Sequence, residues 1–127
     1  MSILFTPINL GEVQIKNRFI HSATYEVMAL ETGEVSDKLI KRYQNLAKGE
    51  VGLIIPGYMF VHPLGRSAKF QIGIHSDDMI PGLRRLVEAV HQEGGGAGRS
   101  PPRQGDPAQP ALAAGDMGIA MGAAGSE

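Results

Sequence analysis

Apolar and polar residues change rhythm several times along this chain, and each rhythm predicts an element. Val13 and Ile15 alternate with Gln14 and Lys16 behind Leu10-Gly11-Glu12. A period of two after a glycine turn is the pattern of a short half-buried strand, so a small hairpin is expected. Arg18-Phe19-Ile20-His21-Ser22 follows as a brief apolar stretch ending in polar residues. It reads as the first strand of a parallel sheet, with its C-terminal end able to face a ligand.

From Ser36 the spacing lengthens: Leu39, Ile40, Tyr43, Leu46 and Ala47 fall on one helical face. Ser36 and Asp37 suit the N-terminal cap and Gly49 the C-terminal exit. Val51-Gly52-Leu53-Ile54-Ile55 is then a continuous apolar run stopped by Pro56-Gly57, as in a parallel strand covered on both faces. Met79, Ile80, Leu83, Leu86, Val87 and Val90 form a second helical stripe behind Ser76-Asp77-Asp78. The acidic pair suits the positive end of the helix dipole, and Pro81 falls in the first turn, where a missing N–H is tolerated. Strand, helix, strand, helix at this spacing is the rhythm of βαβ units, and the fold class is α/β.

The rhythm stops near Gly95. Gly, Ala and Pro make up 21 of the 34 residues from Gly94 to Glu127, with no aromatic among them. Pro101, Pro102, Pro107 and Pro110 would remove ladder donors from any strand there, so 96–127 is expected to be a disordered or non-native tail behind a unit spanning 1–95. The glycines at 94, 95, 96 and 98 follow a helix and precede prolines, the wrong setting for a dinucleotide fingerprint.

Composition narrows the classes of function. Twelve basic and thirteen acidic residues give a formal net charge of −1, which leaves no electrostatic footprint for nucleic acid or an anionic membrane. Without cysteine, disulfides and iron–sulfur ligation within this segment are excluded. The start lacks the basic and apolar regions of a secretory signal, and no run approaches the roughly 20 apolar residues of a membrane span, so a cytoplasmic protein is expected. Histidines at 21, 62, 75 and 91 show no metal-ligand spacing with other His, Asp or Glu residues, and no metal site is expected.

Ligands of parallel α/β barrels gather at the C-terminal ends of the strands. Two segments qualify: Ser22-Ala23-Thr24-Tyr25-Glu26 and Pro56-Gly57-Tyr58-Met59. Small residues and hydroxyls in the first, and the glycine in the second, allow a planar ligand to approach the backbone; a solvated loop has the same composition. Tyr43 belongs to the helix stripe and is expected in the core. Tyr25 and Tyr58 follow strands, where a tyrosine lines a pocket or packs on its rim. His62-Pro63-Leu64-Gly65-Arg66 reads as a turn, with Arg66 an exposed loop arginine or an anion contact.

The order of these pieces resembles a known family. Leu4-Phe5-Thr6-Pro7-Ile8, Leu10-Gly11, Lys16-Asn17-Arg18, Ser22-Ala23-Thr24, Gly52-Leu53-Ile54-Ile55, His62-Pro63-Leu64-Gly65-Arg66 and Gly73-Ile74-His75-Ser76-Asp77 are similar to the opening of NADH:flavin oxidoreductases of the Old Yellow Enzyme family. The resemblance runs from residue 3 to about residue 95. It implies a (β/α)8 TIM barrel, here represented by the N-terminal hairpin and the first two βα units. It also implies FMN as cofactor, NADH or NADPH as reductant, and a small-molecule acceptor such as an activated alkene. By motif position, Ser22, Ala23, Thr24 and Tyr25 would lie along the flavin after the first strand, with Gly57 and Tyr58 approaching it after the second. No catalytic residue is assigned.

Ser-Ala-Thr in place of the commoner Ser-Pro-Met marks a divergent branch. The larger departure is at the third strand, where the family's glutamine and its His-x-Gly-Arg segment do not appear. The resemblance ends within a few residues of His91-Gln92-Glu93-Gly94-Gly95, as a shifted reading frame in a GC-rich gene would produce. The expected chain is therefore an incomplete barrel, inactive alone, with apolar faces that invite self-association. The competing expectation is a non-enzymatic α/β module that assembles or binds a partner through that surface.

Overall fold

A computed structural model describes residues 2–11 and 13–93. The expected boundary near Gly95 and the stretch 96–127 lie outside the described residues. After a 3-10 turn at Ile3–Phe5, strands β1 (Ile8–Leu10) and β2 (Val13–Ile15) pair antiparallel, with Ile8 opposite Ile15 and Leu10 opposite Val13. Gly11 opens the intervening turn at φ +61°, a region that costs a residue without Cβ little. The expected hairpin is present.

β3 (Ile20–His21) and β4 (Leu53–Ile54) pair parallel, Ile20 with Leu53 and His21 with Ile54. Both strands are shorter than the apolar runs that announced them. Gly52 and Leu53 both donate to Phe19 O, at 3.0 and 3.1 Å, and Ile55 donates to His21 O at 2.9 Å, so the pairing extends one residue beyond the named strands. Gly52 is sterically required here: a Cβ would stand 2.4 Å from Asn17 Oδ1 and 2.8 Å from Asn17 O. Asn17, itself buried, uses both ends of its amide, donating to Glu50 O at 2.7 Å and accepting from Phe19 N at 3.0 Å. It thereby fixes the entrance to both strands.

Helix α1 (Asp37–Lys48) joins β3 to β4. Ser36 caps it, accepting from Leu39 N at 3.1 Å, and also donates to Met28 O. Gly49 occupies the C-cap as expected, but with φ −73°; the left-handed residue that leaves the helix is Glu50, at φ 63°. A 3-10 turn at Asp77–Met79 leads into α2 (Ile80–Glu93), with Pro81 in its first turn.

The core lies where the two helices meet the strands. Leu39, Tyr43 and Ala47 of α1 and Leu83, Leu86 and Val90 of α2 are buried with Ile54, Met59, Ile72 and Met79. Asp37 near the start of α1 pairs with Arg85, and Lys48 at its end lies 3.7 Å from Glu93 at the end of α2. The helices therefore run side by side in the same sense, as two crossovers on one face of a parallel sheet require.

The segment between β4 and α2 was not predicted to pair. Phe60 nevertheless bridges Gly73 in parallel, donating to Ile72 O at 3.1 Å and accepting from Ile74 N at 3.0 Å. A Cβ on Gly73 would meet the Phe60 ring at 2.8 Å and His75 Nδ1 at 2.7 Å. Bare backbone is what lets Phe60 and His75 stack, centroids 4.8 Å apart. Among the described residues no helix is long and apolar enough to cross a membrane.

Candidate functional site

Parallel pairing of β3 with β4 brings their C-terminal loops side by side. Ser22, Ala23 and Thr24 leave β3 exposed, with Thr24 Oγ1 donating to Ser22 O at 3.1 Å. Three small residues in succession leave room for a flat ligand edge beside backbone groups and hydroxyls. Nδ1 of His21, the last residue of β3, is buried without a hydrogen-bond partner among the described residues.

Gly57 lies against this loop. A Cβ there would stand 2.6 Å from both Thr24 O and Glu26 Oε2, so the two loops touch only because residue 57 has no side chain. Gly57 is itself buried, and its N–H is taken by the Tyr43 hydroxyl at 3.2 Å. Its missing side chain also lets Thr24 O and the Glu26 carboxylate come close on the neighbouring loop. Tyr25 and Tyr58, one from each loop, face each other with ring centroids 5.5 Å apart and planes tilted by 58°. The six residues singled out from the sequence thus fall in one place, at the paired strand ends.

The rim is completed by residues 66–71. Tyr25 donates to Lys69 O, and Ser67 Oγ donates to Tyr58 Oη at 3.3 Å. The buried Gln71 pins this segment, its Oε1 accepting from Ser67 N at 3.0 Å and Ala68 N at 3.3 Å. Arg66 is half-buried rather than exposed: its Nε donates to Ala68 O at 3.2 Å and its guanidinium lies 5.4 Å from the Phe60 centroid. Within the chain it ties this segment to Ala68 and Glu31. His62-Pro63-Leu64-Gly65 forms the expected turn, a single 3-10 turn capped by His62.

Two groups acquire roles that the sequence did not reveal. Tyr43 is in the core as expected, but its hydroxyl donates to Glu26 Oε1 while accepting from Gly57. Burial pushes the Glu26 carboxyl above its ordinary range, opposed by the backbone N–H groups of Glu26 and Gly57 and by the charges of Arg42 and His21. Glu26 ends the first candidate segment, yet a lone carboxylate after a strand carries no period that marks it. Among the described residues no group of three or more His, Cys, Asp or Glu side chains is placed to hold a metal.

The arrangement sets exposed small residues, hydroxyls and two tyrosines on one surface at the strand ends, and the chain is similar to proteins of a known family. Residues 3–98 match the family model described as the NADH:flavin oxidoreductase / NADH oxidase family. A metal reductase from Desulforamulus reducens is 40% identical over 94 residues, covering 74% of this chain and 14% of that protein. An NADPH dehydrogenase from Listeria monocytogenes is 35% identical over 100 residues, 77% of this chain and 29% of its own. Among solved structures, the Old Yellow Enzyme from Pichia sp. AKU4542 superposes with a TM-score of 0.69 at 26% identity, covering 73% of this chain and 24% of that one. The chain thus spans less than a third of each of these proteins.

Proposed function

Because the chain belongs to the NADH:flavin oxidoreductase / NADH oxidase family, whose members pair a flavin with a reduced nicotinamide, we propose that its paired strand ends form part of an FMN-binding face. Ser22, Ala23, Thr24 and Tyr25 would line the ring through backbone groups and hydroxyls, with Gly57 and Tyr58 shaping the neighbouring loop. The observation that carries this reading is the contact of the two loops at Gly57, where a Cβ would stand 2.6 Å from Thr24 O. It brings the exposed small residues of one loop and the tyrosine of the other onto one surface. FMN, when bound, supplies hydride transfer from NADH or NADPH to an activated alkene or related acceptor; this chain's residues orient it and tune its surroundings.

Barrel active sites draw on the ends of several strands, and the described residues supply two. Binding is therefore expected to outlast activity: the 127-residue chain should take up FMN weakly and leave NADPH unoxidised in the presence of an enone. FMN retention after desalting, read by flavin absorbance and fluorescence, is the test. Flavin no better retained than by an unrelated protein of the same size would remove the proposal. NADPH oxidation at an ordinary enzymatic rate would overturn the expected inactivity.

A second reading rests on a different observation. Leu4, Phe5, Phe19 and Ile20 are exposed, and the rings of Phe5 and Phe19 are 5.4 Å apart. We propose that the chain associates with itself through this apolar surface, with or without flavin.

A further inference from the structure

The hydroxyl of Tyr43 is where three segments meet. Tyr43 is 1% exposed on the inner face of α1. Its hydroxyl donates to Glu26 Oε1, in the loop after β3, and accepts the N–H of Gly57, in the loop after β4, at 3.2 Å. Any buried phenol needs a partner. This one takes one from each loop that carries the proposed flavin contacts. The ring is held from the strand side by His21, edge-on at a centroid distance of 6.4 Å.

We propose that Tyr43 is a positioning residue that sets the spacing between the two strand-end loops, acting through Glu26 and the Gly57 backbone. The inference rests on the FMN reading for its functional consequence. Its structural content stands on the two hydrogen bonds alone. Gly57 cannot move toward Thr24, because the backbones already touch, and it is kept from moving away by the bond from its N–H to Tyr43. Removing the hydroxyl takes from the buried Gly57 N–H one of its two acceptors and leaves it the Glu26 carboxylate alone, which loosens the loop toward water. A site whose loops have separated loses the geometry on which ligand affinity depends.

The test compares the unaltered 127-residue chain with Tyr43→Phe, Glu26→Ala and Glu26→Gln by amide hydrogen exchange and by FMN titration followed through flavin fluorescence. In Tyr43→Phe, exchange at Gly57 should accelerate about tenfold or more and the FMN Kd should rise about tenfold, the size of one lost hydrogen bond. Exchange at Ala47 and Leu86, inside the helices, should stay unchanged. Glu26→Ala should follow Tyr43→Phe, whereas Glu26→Gln, which keeps an acceptor for the phenol, should stay near the unaltered chain. If Tyr43→Phe does not fold, Glu26→Ala and its glutamine control carry the comparison. Unchanged Gly57 exchange in the phenylalanine and alanine variants would overturn the positioning role. Absence of FMN binding by the unaltered chain would overturn the flavin reading, while Gly57 exchange still decides the role of Tyr43.

Discussion

Glu26 shows how one carboxyl can couple a strand-end loop to pH. Its pKa stands above the ordinary value of 4.5 because burial penalises the charged form more than the surrounding donors favour it. A carboxyl whose pKa is raised by folding binds its proton more tightly in the native chain than in the unfolded one. Its contribution to stability is then complete below the ordinary value and is lost as pH rises through the raised one. Urea midpoints of the unaltered chain should therefore fall from pH 4.5 upward, whereas Glu26→Gln should lack that part of the fall. Parallel curves for the two proteins would show that Glu26 is not the titrating group. The sequence placed Glu26 in the right segment and gave it no role, since its partner is the phenol of Tyr43, 17 residues away. A stripe of apolar positions predicts that a tyrosine is buried but is silent on where its hydroxyl points. The same limit applies to Gly57: the glycine was singled out, while the atoms that need its missing side chain, Thr24 O and Glu26 Oε2, belong to another loop.

At the scale of elements, legibility follows length. Both helices were visible because three or more turns repeat one apolar face, and most of each face is buried: Leu39, Tyr43 and Ala47 on α1, and Leu83, Leu86 and Val90 on α2, while Ile80, counted on the second stripe, is exposed at the first residue of α2. Two-residue strands offer no period at all, so β3 and β4 were found only through the apolar runs and turn residues around them. The bridge between Phe60 and Gly73 could not be found that way. Its buried residues come as the short blocks Met59-Phe60 and Gln71-Ile72-Gly73, and the buried glutamine contradicts an apolar reading until its contacts with Ser67 and Ala68 are known. The weight carried by α1 can be measured. Leu39 is fully buried, so Leu39→Ala should cost about 2–5 kcal/mol, enough to unfold a marginal domain. Ser36→Ala should cost about 1 kcal/mol for the cap, plus the loss of its bond to Met28 O. Chemical denaturation gives both; a larger cost at Ser36 than at Leu39 would mean that the loop before α1, and not its packing, limits stability.

At the scale of the whole molecule, two parallel strands leave an edge to be covered. Among the described residues β3 pairs only with β4, and Ile20, on β3, is 53% exposed. Beside it Phe19 is 40% and Phe5 64% exposed, and Leu4 is joined to this surface by the bond from Arg18 N to Leu4 O at 2.9 Å. An unpaired strand edge next to clustered aromatic surface favours association, because pairing satisfies backbone groups while burial removes apolar area from water. Charge does little to oppose it, since the net charge is only −1 and like-charge repulsion between copies is correspondingly weak. Sedimentation of the 127-residue chain should therefore show mass rising with concentration, and the double substitution Phe5→Ser and Phe19→Ser should shift that rise to higher concentration. Because Phe19 precedes β3 and Phe5 packs against it from the first 3-10 turn, away from the C-terminal end of β3, the double variant should bind FMN as the unaltered chain does. A variant that stays as associated as before would move the contact elsewhere. One that loses both association and flavin would mean that the FMN face is completed only between copies.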